Sequence, residues 1–267
     1  MKNTSLYFVF LAFIFPFLFT KAQMGLGVSP PRNYYTSGGG ISTTNKIVVS
    51  NSSKTTPLTL TISLSDWKYD SHGNNVMGAV GEFDNSCALW VEVMPQSYFT
   101  LAAGESKEIE VTVTPPSKKN DSLDVHTSML FITQTNPIDS YNENGALVKV
   151  SMQSGIKIYH RYNTPANMSI EFNDYRFDKK SRNLELSLEN TGNIWTDGTV
   201  LTELVNVNDG TKYTLSDQII YTLPGDKRNV TVPLPKDIKP GKYTASSTLS
   251  YGDDDTIKMA ELAFVYE

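Results

Sequence analysis

The sequence predicts an all-β protein built as two β-sandwich domains in tandem, and three observations carry that prediction. Short segments with apolar side chains at every second position recur along the whole chain. Clusters of Gly, Pro, Asn and Ser such as "TSGGG", "SHGNN", "LAAGES" and "PPSKKND" separate them at sandwich spacing. No stretch has the periodicity of an amphipathic helix, and the strand pattern starts afresh after the linker-like "YNTPANMS".

The chain opens with Lys2, an almost purely apolar run from Leu6 to Phe19 interrupted by Pro16, and then Thr20-Lys21-Ala22. This is the pattern of a secretory signal peptide over residues 1–22, with cleavage expected between Ala22 and Gln23. Nothing after it is apolar and long enough to span a bilayer, so the mature chain is expected to be exported and soluble, with no membrane span. Removing Lys2 and Lys21 leaves 21 basic residues against 28 acidic ones, a net charge of −7 that argues against nucleic acid as a partner. Cys87 is the only cysteine; it cannot form an intrachain disulfide, and it lies too far from the cleavage point for lipid attachment there. It reads as a small buried thiol opening a strand "CALWVEV". Stability must come from apolar cores, and about 245 residues are enough for two.

In the first unit, residues 23–162, the expected strands are "KIVVSN", "PLTLTISLSDW", "CALWVEVMP", "KEIEVTVTP", "SMLFITQ" and the long run "VKVSMQSGIKIYHR" from Val148 to Arg161. In the second, residues 163–267, they are "SIEFNDYRF", "NLELSLEN", "TVLTELVN", "YTLSDQIIY", "RNVTVPLP", "GKYTASSTLSYG" and "MAELAFVYE". "SLENTGN" echoes "VVSNSSK", and "LPGDKRNVTVPLP" echoes "LAAGESKEIEVTVTP". Each unit thus pairs a strand ending in Asn with a later Gly-containing turn into a Val/Thr strand, which suggests two versions of one immunoglobulin-like plan.

Signals of chemistry are absent from this pattern. His72, His126 and His160 have no His or Cys at metal-ligand spacing, no GxSxG elbow is present, and Cys87 has no nucleophile signature. "YGDDDT", containing Asp253, Asp254 and Asp255, lacks the alternating ligands of a calcium loop and reads as a solvated hairpin turn. "SGGG" reads as a flexible loop, not a phosphate cradle. No metal, cofactor or catalytic residue is expected.

The run Val148 to Arg161 has one apolar face, Val148, Val150, Met152, Ile156 and Ile158, and one polar face that includes Lys157; Ser154-Gly155 is where such a strand would kink. Taken with "GVSPPRNYYTSGGG", "SDW", "YFTLAAGESKEIEVTVTP" and "SMLFITQTNP" in that order, it resembles the amino-terminal domain of the PapD-like periplasmic chaperones of the chaperone–usher pathway. The resemblance covers about Gly27 to Arg161. Arg32 matches the family's first-strand arginine, Lys157 the lysine that follows its edge strand, and Val148, Val150 and Met152 the alternating apolar residues of that strand.

The resemblance implies a boomerang of two Ig-like domains in the periplasm that works without ATP or any cofactor. Its clients would be incomplete pilus or other surface subunits lacking a final strand, with an outer-membrane usher left open as a further partner. Val148, Val150 and Met152 would complete the client's sheet by strand addition, and Arg32 with Lys157 would hold its carboxy-terminal carboxylate. The competing reading is a non-catalytic envelope scaffold or an adhesion or glycan-binding protein, in which Tyr34, Tyr35, Trp67 and Trp195 would matter more than the basic pair.

Overall fold

The structure is a computed structural model that describes residues 25–95, 97–119, 121–252 and 256–267. The expected signal peptide and the Asp253-Asp254-Asp255 turn lie outside the described residues. Within them the chain is nearly all strand, and the one helical element is a 3-10 turn at Ala88–Trp90.

The amino-terminal stretch divides between two sheets. Strand β1 (Leu26–Ser29) pairs antiparallel with β3 (Thr43–Asn51), whereas β2 (Arg32–Ser37) runs parallel to β12 (Gln153–Tyr162). Pro30 and Pro31 lie between them, and with no N–H to give a ladder they mark where the pairing changes. One sheet of the first sandwich runs β1, β3, β8 (Ser106–Val113), β6 (Val91–Met94). The facing sheet runs β2, β12, β9 (Val125–Gln134), β4 (Leu58–Tyr69), β5 (Asn75–Gly78), with β7 (Tyr98–Leu101) also on β4.

Alternation decides what these sheets enclose. Ile47 and Val49 of β3, Leu58 and Leu60 of β4, Ile109 and Val111 of β8, Leu130 and Ile132 of β9, and Ile156 and Ile158 of β12 are all fully buried in one core. Burying each such side chain stabilises the sandwich by about 1.5–3 kcal/mol, which is how a chain without a disulfide holds.

The second sandwich faces a three-stranded sheet, β13 (Ile170–Asp178), β14 (Asn183–Asn190) and β18 (Lys227–Pro233), against a five-stranded one. The latter runs β16 (Lys212–Thr214), β15 (Thr196–Asn206), β19 (Gly241–Tyr251), β20 (Thr256–Tyr266), with β17 (Gln218–Thr222) also on β15. Leu184, Leu186 and Leu188 of β14 meet Val200 and Leu204 of β15, Val230 and Val232 of β18, and Leu249 of β19 in its core.

The internal echo is repeated at the level of hydrogen bonds. Asn51 and Asn190, each buried at the end of its strand, accept a bond at Oδ1 from the N–H two residues on, at Ser53 and Gly192. Their own N–H groups donate to the carbonyls of Glu105 and Asp226, and the carboxylates of Glu105 and Asp226 accept from Ala102 N and Leu223 N in the matching turns. Gly104 and Gly225 complete those turns at φ +74° and +79°, a region in which a side chain is strained.

Three expected strands differ. "CALWVEV" is a strand only from Val91; before it Trp90 N bonds Cys87 O and closes the 3-10 turn, with Cys87 still buried. "YTLSDQIIY" is two strands, because β16 and β17 pair with separate parts of the long β15, Glu203 to Val205 and Val200 to Thr196. The run from Val148 to Arg161 is also two: β11 (Leu147–Val150) pairs with β10 (Ile138–Tyr141) in a separate hairpin, and β12 begins at Gln153. The break falls at Ser151-Met152, not at the expected Ser154-Gly155. Gln134 accounts for it: its O accepts from Ser151 Oγ, its Oε1 from Met152 N, and its N–H donates to Met152 O. Gly155 stays in the ladder opposite Phe131, where an added Cβ would come within 3.1 Å of Phe131 and Met129.

Candidate functional site

Arg32 and Lys157 are brought side by side by strand pairing. They are register partners in the parallel β2–β12 ladder, and Lys157 N donates to Pro31 O at 3.0 Å. Both lie on the face of the sheet turned away from the first core and toward the second sandwich. A cluster of Trp67, Tyr69, Val125, Met129, Tyr159 and Leu223 fills the seam there, with Trp195 and Tyr221 packed against it.

Lys157 Nζ donates to Tyr69 Oη at 2.9 Å and lies 4.1 Å from the Trp67 ring centroid and 4.2 Å from that of Tyr69. Among the described residues no carboxylate comes within ion-pair distance of it. Burial, and then the neighbouring Arg32, bring the amine down to about 8. It therefore carries its charge at neutral pH with two aromatic faces and a phenol for company.

Arg32 is placed differently. Its Nη1 donates to Asp197 Oδ2 at 2.9 Å, and its guanidinium lies 4.2 Å over the Tyr221 ring, so both of its partners come from the second sandwich. Between the two cations and β5 runs an open pocket of about 510 Å³, lined also by Met77, Met129, Phe131 and Gly155.

Arg228, which sequence reasoning passed over, is the third cation of the seam. It is 2% exposed, its guanidinium donates to the carbonyls of Asp70 and Tyr221 and to the Asp226 carboxylate, and it lies 4.9 Å from the Tyr69 ring. Next to it Asn229 N donates to Ser71 O at 2.6 Å, so the β4–β5 turn of the first sandwich is bolted onto β18 of the second. The signal was present in "KRNVTVP": Arg228 is in phase with the buried Val230 and Val232.

Val148 and Val150 sit in β11, 36% and 46% exposed. Among the described residues β11 has a partner only in β10, and β12 is joined by β2 only from Lys157 onward. The outer edge from Leu147 to Ile156 therefore has no partner strand among the described residues. Met152 does not share this exposure; it is partly buried against the first core at the break.

The four aromatic residues divide. Tyr35 and Trp67 are fully buried, with Tyr35 Oη bonded to Val111 O and Trp67 Nε1 to Ser128 O. Tyr34 and Trp195 meet in the seam with tilted rings, centroids 5.0 Å apart. His126 and His160 are buried and His72 is not; no group of three potential metal ligands occurs among the described residues. Burial pushes the Cys87 thiol up to about 12, the opposite of what a nucleophile needs.

No family model matches the chain, and no curated protein matches it. Among solved structures it is similar to the YadV chaperone at 11% identity and TM-score 0.49, over 90% of this chain and 100% of that one. It is also similar to the CsuC–CsuE chaperone–tip adhesion subunit pre-assembly complex of Acinetobacter baumannii, at 13% identity and TM-score 0.48 over 90% and 97% of the two chains. The Salmonella enterica SafA pilin in complex with the SafB chaperone follows at 14% identity and TM-score 0.47, over 91% and 97%.

Proposed function

We propose that the chain is a periplasmic, non-catalytic assembly chaperone that holds incomplete surface subunits by strand addition and anchors their carboxy-terminal carboxylate between Arg32 and Lys157. The observation that carries this reading is a half-buried lysine without a carboxylate partner at one end of a strand edge that has no partner strand among the described residues. A carboxylate there would receive charge-assisted hydrogen bonds from a partly desolvated ammonium. The edge would then receive the rest of the client: at about 3.3 Å per residue, Val150 lies at most about 23 Å along it from Lys157.

Charge and edge do separate jobs. The anchor sets the register, and a one-residue slip would turn the wrong side chains into the client's groove. Val148 and Val150 are the exposed apolar side chains that β11 offers along this edge, whereas Ile156 is fully buried in the first core.

The test is co-purification from the periplasm of wild-type protein and of Arg32→Ala/Lys157→Ala, with mass spectrometry of the partners. One or a few β-sandwich surface subunits should accompany the wild type and be lost from the double variant. The same partners with both would remove the cleft as anchor and favour a scaffold that binds through Tyr34 and Trp195.

A further inference from the structure

The two cations of the cleft are not equally available. Arg32 already holds a carboxylate, and Lys157 does not. Asp197 and Tyr221 are register partners on β15 and β17, so the second sandwich presents an acid and a ring to Arg32 as one unit. The pair is only partly covered, with 29% of the Arg32 side chain and 44% of the Asp197 side chain exposed, so it can exchange partners with solvent. Burial raises the Asp197 carboxyl and Arg32 pulls it back, as expected for an acid kept charged mainly by one cation.

An aspartate carboxylate and a chain-terminal carboxylate are the same acceptor to a guanidinium. We propose that Asp197 is a built-in competitor for the carboxylate that enters this cleft, and that it sets the affinity of the anchor by occupying Arg32 until displaced. This rests on the cleft being a carboxylate site. Displacement also removes a direct tie between the sandwiches. The Arg228 clamp and the bond from Asn193 Nδ2 to Asp124 Oδ2, 3.2 Å, remain to hold the seam elsewhere. Ligand entry is therefore coupled to loosening of the seam at the Arg32 side only, and the occupied and empty cleft differ in which carboxylate Arg32 grips.

Acetate is the probe, titrated into the purified chain and followed through the side-chain NMR signals of Arg32 Nε–Hε and Lys157 Nζ. Asp197→Asn keeps size and hydrogen bonding but removes the competing charge, and it should bind acetate about tenfold more tightly than wild type, within the usual range of coupling between sites. Asp197→Glu restores the competing carboxylate and should return the wild-type response. Equal or weaker acetate binding by Asp197→Asn, or no response in either protein, overturns the proposal. Its failure is separable from that of the chaperone reading. If acetate competition holds and no subunit co-purifies, the client is wrong and the competitor stands; if subunits co-purify through Lys157 and Asp197→Asn changes nothing, only the competitor falls.

Discussion

Arg228 and Lys157 lie against the same ring, 4.9 and 4.2 Å from the centroid of Tyr69, and the seam treats them in opposite ways. Arg228 is out of contact with water, and two carbonyls and a carboxylate accept its guanidinium protons. Lys157 has a phenol, two ring faces and an open pocket. A planar fork with several donors suits a fixed set of acceptors on both sandwiches, whereas a point charge on a flexible stem can take a ligand. The comparison teaches that position in the seam does not assign a role; whether acceptors of both sandwiches already hold the cation's terminal donors does.

The largest expected effect breaks the Arg228 side. Arg228→Ala takes a charge-assisted donor from the Asp226 carboxylate and the Asp70 and Tyr221 carbonyls, leaves the Asp226 carboxylate with Leu223 N alone among the described residues, and should cost about 3–5 kcal/mol. Urea unfolding followed by tryptophan fluorescence checks this, and a loss below about 1 kcal/mol would show that the seam does not depend on the clamp.

Lys157→Met sharpens the contrast. Methionine keeps the packing of the stem on Trp67 and Tyr69 and brings no charge to desolvate, so stability at neutral pH should not fall while carboxylate capture is lost. The pH dependence has two opposite signs. A bound carboxylate favours the charged amine, so capture should be full below about pH 8 and weaken above it. The folded amine titrates below its ordinary 10.5, so between about pH 8 and 10.5 the unfolded chain holds more protons. The wild type should therefore gain stability relative to Lys157→Met over the window in which it loses ligand. A parallel pH dependence of the two proteins would refute this account of Lys157.

The smallest stability effect belongs to the hairpin. Val148→Asp with Val150→Asp alters exposed positions and should move stability by less than about 0.5 kcal/mol, yet it puts charge on the donated edge and should abolish subunit capture. Co-purification unaffected by the pair would take strand addition out of the mechanism.

The alternating pattern in "KIVVSN", "KEIEVTVTP" and "NLELSLEN" was enough to name the buried faces of β3, β8 and β14, because a residue period of two has only one way to face a core. The same pattern misled at Val148 to Arg161. Alternation reports which side chains share a face and says nothing of whether the backbone stays in one sheet, and the break depends on Gln134, a side chain from another strand. Cys87 was legible as buried but not as the residue before a 3-10 turn. Arg228 was legible by phase and overlooked because a charge in a strand is ordinarily turned to water.

The sequence by itself determined the all-β class, the two cores and the repeated Asn-and-turn plan, since burial periodicity and turn chemistry are local properties of a chain. Only the tertiary structure decided which cations meet which acceptors. Arg32 stands beside Lys157 because β2 pairs with β12 across most of the first sandwich, and Asp197 reaches Arg32 because the second sandwich docks there. Such contacts join residues far apart in the chain, and no period or motif along the sequence encodes the distance between them.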